Sequence, residues 1–102
     1  MIGRRHRFRE VISRQLDLFA DDRAALLEDC EAGLVAYRHA ERGDAEERYG
    51  DYVDAVDTAR EELERLRDAY AGTLDEPAAS EYVAAFAALA RKRFPAVASE
   101  LE

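Results

Sequence analysis

Between Tyr49 and Tyr70 the large apolar residues return at alternating steps of three and four: Tyr49, Tyr52, Val56, Ala59, Leu63, Leu66 and Tyr70. That rhythm keeps one stripe on one side of a helix for three heptads, the spacing at which helices lie along each other. With Tyr49 at position a, the f positions are Glu47, Asp54, Glu61 and Asp68. Four acids opposite the stripe support this register independently, because a shifted one would bury charge. The flanking e and g positions mix Arg48, Arg60, Glu62 and Arg67, as at the edge of a helix pair. The pattern predicts a helix from about Ala45 to Ala71. Asp44 and Glu47 would form a capping box at its start, and Gly72 its stop.

The remaining apolar positions predict three further helical segments. Phe8, Val11, Ile12, Leu16 and Phe19 form a stripe on a first helix from Arg4 to Ala20, with Leu18 left off it. The spacing Ile12, Leu16, Phe19, Arg23, Leu26, Cys30 also fits one continuous helix, spoiled only by Arg23. A break near Asp21 is expected, since Asp21 and Asp22 suit the start of a new helix. One helix reaching Arg42 would be about 57 Å long and would outrun its partners. The second segment buries Leu26, Leu27, Cys30, Leu34 and Tyr37 and ends at Glu41–Arg42–Gly43, with Gly43 in the left-handed position. After a tight connection through Pro77, Tyr82, Val83, Phe86, Leu89, Ala90 and Phe94 mark the last long helix, which Pro95 ends. Val97 and Leu101 stay on the same side and predict a short final turn. The expected fold is all-α, an antiparallel bundle of three long or four shorter helices, with residues 1–102 as one domain.

Composition agrees with helices and narrows the rest. Only five Gly and two Pro interrupt 102 residues, too few for the frequent turns of a sandwich or barrel. Apolar residues make up 48% and charged residues 37%, enough to fold with a highly charged exterior. A single lysine beside fourteen arginines reads as the codon habit of a GC-rich genome, not as a phosphate-binding surface. The net charge of −8 disfavours nucleic acid and anionic membrane as partners. It is unevenly spread. Residues 1–20 hold five arginines against Glu10 and Asp17, a net of +3, which leaves −11 for the remainder. No apolar run approaches the ~18–20 residues of a membrane span. The basic start lacks the apolar core of a signal peptide, so the expected location is the cytoplasm.

Candidate chemistry is sparse. One cysteine, Cys30, excludes an internal disulfide and a multi-thiolate zinc site, and its place on an apolar stripe marks it as a small buried hydrophobe. Glu28 and Glu31 form E-x-x-E, and Asp51, Asp54 and Asp57 recur three apart. The pairs are similar to those with which all-α nucleotide pyrophosphohydrolases hold Mg²⁺, so Glu28, Glu31, Asp51 and Asp54 are the candidate ligands of that alternative. Asp54, however, is an f position facing water. His6 and His39 each lack the Glu three residues earlier that a di-iron bundle needs. Ser13, Ser80 and Ser99 lie in no nucleophile motif. Arg4, Arg5, Arg7 and Arg9 form the only basic cluster and would serve a nucleic-acid accessory role, a second alternative. The five tyrosines suit the rim of a seam or an interface, where the hydroxyl stays wet.

These features point to a protein–protein interaction or assembly module. Neither a cofactor nor a metal is expected, and no catalytic residue is named. The expected partner is a second copy, as a homodimer, or another protein. The first helix is the candidate interface, with Leu18 and Val11 supplying apolar area, Phe19 contributing in part, and Arg7 and Arg14 facing acids of the partner.

Overall fold

A computed structural model describes residues 7–101, so Arg4, Arg5 and His6 of the basic cluster lie outside the described residues. The fold is all-α, with no strand among the described residues. The helices are α1 (Arg9–Asp22), α2 (Ala24–Arg38), α3 (Ala45–Ala71), α4 (Ala78–Arg93) and the short α5 (Pro95–Ala98).

The break between α1 and α2 is a single residue, Arg23, at φ −115° and ψ 28°. Its N–H donates to the Phe19 carbonyl at 2.9 Å, and the Leu27 N–H donates to the Arg23 carbonyl at 3.0 Å. The chain therefore bends there with its hydrogen bonds nearly intact, and no side chain caps α2. Arg23 is held from the side by α3, its Nε and Nη2 donating to Glu62 Oε1 at 3.1 and 2.8 Å. A bend close to the acidic pair was expected. It falls at Arg23, one residue past Asp22, and neither Asp21 nor Asp22 caps α2.

Pairs across the chain give the directions. Arg23 meets Glu62, Gly33 meets Tyr52, and Tyr37 meets Tyr49. Rising numbers from Arg23 through α2 thus meet falling numbers on α3. Phe8 stands edge-on to Tyr82 at 5.5 Å and Phe19 to Phe94 at 5.4 Å, so α4 runs alongside α1 in the same direction. At Gly33 the α2 and α3 backbones come close. A Cβ added there would stand 3.2 Å from the Tyr52 Cα, so any side chain at this position needs the Tyr52 backbone to give by a few tenths of an ångström.

α3 has 27 residues and α4 has 16, lengths of about 40 and 24 Å at 1.5 Å per residue. Covering by α4 therefore ends well short of the far end of α3, and the molecule is drawn out to 52 × 22 × 22 Å. The most deeply buried large side chains are Tyr82, Phe86, Ile12, Leu16, Leu63 and Leu101, all in the half that α4 and α5 cover. α5 opens with Pro95 and packs Val97 and Ala98 inward, and Leu101 follows them. Arg91 donates to the Leu101 carbonyl and ties this end to α4. In the other half, the α2–α3 arm, Cys30 is buried at the base, and toward the tip Tyr49 of the seam is 50% exposed. The f-position acids Glu47, Asp54, Glu61 and Asp68 all face water.

Three local expectations differ from the structure. α2 ends at Arg38, before the predicted Glu41–Gly43. Gly43 is not left-handed, and none of the described glycines has positive φ. The turn closes instead through Ala40 N–H to Tyr37 carbonyl at 3.2 Å and Asp44 N–H to Glu41 carbonyl at 2.9 Å, bonds any residue type can make. Asp44 precedes α3 without a side-chain cap, so the capping box is not formed. A cap appears where none was expected: Glu76 Oε1 accepts from the Ser80 N–H at 3.1 Å and hydroxyl at 2.7 Å in the first turn of α4.

Candidate functional site

Val11, Arg14 and Leu18 follow one another at steps of three and four, which places them on one side of α1, and Arg7 lies in the turn before it. Leu18 is 60% exposed. Beside it runs an open groove of about 460 Å³ bordered by Gln15, Glu62, Arg65 and Leu66. Val11 is half-buried against the core. Phe19 points inward and is buried edge-on to Phe94. Arg7 already meets Glu81 at 3.3 Å, and its guanidinium lies 5.2 Å over the Phe8 ring. Arg14 meets Glu10 at 2.9 Å. Exposed i,i+4 pairs of this kind contribute only about 0.3–0.5 kcal/mol, so Arg14 can exchange partners at little cost.

The acids that sequence spacing singled out are dispersed. Glu28, Glu31, Asp51 and Asp54 are all exposed. Among the described residues no three His, Cys, Asp or Glu side chains gather closely enough to hold a metal ion. His39 is exposed at the C-terminal end of α2. Burial pushes the Cys30 thiol above its usual pKa, with Asp29 and Glu31 adding to the shift, so the reactive thiolate is disfavoured.

The tyrosines separate into two groups that sequence alone did not distinguish. Tyr82 is fully buried between Phe8, Tyr70 and Phe86, with ring centroids 5.5, 4.7 and 5.8 Å away. Its hydroxyl donates to Gln15 Oε1 at 2.8 Å, which satisfies the one polar atom it carries inward. Burial raises its pKa to about 12. An unfolded tyrosine ionises near 10, so between roughly pH 10 and 12 the unfolded chain releases a proton that folded Tyr82 retains. Stability supplied by this group is complete below pH 10 and falls through that window. Tyr82→Phe should cost about 1 kcal/mol at neutral pH and lose this alkaline decline, as read by urea unfolding from pH 8 to 11.5. An unchanged alkaline slope would move its origin elsewhere.

Tyr37, Tyr49 and Tyr52 instead form an open ladder on the arm, with centroids 5.1 and 6.4 Å apart. Below the ladder lies a mostly apolar groove of about 330 Å³ at the step where α4 gives way to α5. Leu27, Cys30 and Leu34 of α2, Tyr52 of α3, and Phe94 and Val97 line it. The ladder was legible only as tyrosines at the upper end of the seam, where aliphatic residues would mark a sealed core. With Leu18, the large apolar side chains left in water are Val35, Tyr37 and Tyr49, and three of these four belong to the arm.

No helix among the described residues is long and apolar enough to cross a membrane. No family model, curated protein or solved structure matches the chain.

Proposed function

We propose that this chain is a self-associating interaction module, an antiparallel bundle of helices whose partner is a second copy of itself. One observation carries the reading: Leu18, Val35, Tyr37 and Tyr49 stand 38–60% exposed, and α4 and α5 leave the arm that holds three of them uncovered. Burying apolar area is worth roughly 25 cal/mol per Å². Two-fold pairing of like surfaces is the commonest way to gain it. The titratable groups also favour binding over catalysis. Shifted pKa values occur at Cys30 on α2, Arg60 and Glu62 on α3, and Tyr82 on α4, and these groups do not line one cavity together.

Two faces qualify for this role. One is the α1 side with Arg7, Val11, Arg14 and Leu18, which opens onto the groove beside Leu66. The other is the arm. Sedimentation from about 5 to 500 μM tests the reading as a whole, and the mass should rise from 11.5 kDa toward twice that value. A constant monomer mass across the range would exclude self-association.

A further inference from the structure

Resting on that self-association, we propose that the second copy docks end-to-end reversed on the uncovered face of the arm, with Glu31 of each copy opposite Arg38 of the other. The face begins where α4 stops. Leu27, Leu34 and Tyr52 line the groove together with Phe94 and Val97, so they lie on the side that α4 and α5 would have covered had they been longer. Tyr49 continues that side toward the tip through its contact with Tyr52. A copy of the same arm supplies what is missing, two more helices of matching length carrying the same apolar stripe.

Charge selects the direction. Between residues 24 and 58 there are ten acids and three arginines, and the arginines, Arg38, Arg42 and Arg48, all lie toward the tip. Glu31 and Arg38 are seven residues apart on α2, on one flank, and about 10.5 Å apart along the axis. They are too distant to pair with each other, and among the described residues neither forms an ion pair. Glu31 also borders the groove, at the rim of the proposed contact. A reversed copy brings Glu31 against Arg38 twice by symmetry. A parallel copy on the same face would lay α2 against the partner's α3 and leave Glu31 and Arg38 without this pairing.

Size sets the strength. From Leu27 to Arg38 the face is about 17 Å long, and two packed helices make it roughly 20 Å wide. That is about 340 Å² per copy in plan, or about 680 Å² for the two copies, below the roughly 1,200–2,000 Å² of stable specific interfaces and in the range of a weak, transient one. The arm's net charge of −7 also opposes close approach. The dimer is therefore concentration-dependent, and added salt should strengthen it until the Glu31–Arg38 pairs are screened in turn.

The test is sedimentation of the full chain with a charge-reversal series, each variant checked for helical dichroism. Glu31→Arg and Arg38→Glu should each weaken the dimer by about tenfold. The double variant should return to within about twofold of wild type, and an equimolar mixture of the two single variants should form a mixed dimer. Tyr49→Glu should give monomers, and Leu18→Glu should leave the mass unchanged. If the singles have no effect, or the double fails to recover while wild type still dimerises, this interface is wrong and self-association stands. Loss of the dimer in Leu18→Glu alone would assign it to α1. A monomeric wild type at all concentrations would overturn both statements.

Discussion

Phe86→Ala should lower the free energy of unfolding by about 3–5 kcal/mol. Phe86 is fully buried at the centre of α4, with its ring 5.8 Å from that of Tyr82. Its neighbours on the inward side of the helix are Ala87 and Ala90, both buried. Short side chains let α4 lie close to α1 and α3, but they cannot swing into a vacated space. The cavity would stay open, and its cost adds to the lost transfer energy. A chain of this length has roughly 5–15 kcal/mol of total stability, so the variant would lose about a fifth or more. Chemical denaturation should show a lower midpoint with an unchanged slope. A loss below about 1 kcal/mol would place Phe86 outside the core.

Leu63→Ala should cost about 2–5 kcal/mol, and Leu66→Ala about half as much. The two leucines are successive a and d positions of one seam, and sequence spacing makes them equals. In the structure they are not. Leu63 is fully buried among the α1, α4 and α5 side chains, whereas Leu66 is half-buried and borders the groove shared with Leu18. Water already reaches one side of Leu66, so less area is lost on truncation. Equal losses, or a larger loss at Leu66, would mean that α3 is turned about its axis relative to this arrangement.

That contrast shows how far the heptad pattern reaches. A period repeated over three heptads settles which side of α3 faces inward, and the exposed acids Glu47, Asp54, Glu61 and Asp68 agree. It cannot say how far along the stripe a third helix extends, because that depends on where α4 starts and stops beside α3. Tyr49 and Leu63 therefore look alike in sequence and differ from half-exposed to fully buried. Pro95 was readable because a missing N–H and a fixed ring act locally. Gly43 misled because glycine permits a left-handed turn without requiring one, and the bonds at Ala40 and Asp44 closed the loop without it. Arg23 looked like a flaw in a continuous stripe, and its contact with Glu62 belongs to a partner helix 39 residues away.

The same uneven covering has a consequence for cooperativity. One half of α3 is shielded on several sides by α1, α4 and α5, and opening there exposes most of the core in a single event. The other half depends on α2 alone, which approaches α3 closely at Gly33 and Tyr52. Amide protection should therefore descend along one unbroken helix, from values near the global unfolding energy around Leu63 to easy fraying near Tyr49. A helix regular from Ala45 to Ala71 thus spans two tiers of stability, and whatever covers the arm raises the lower one.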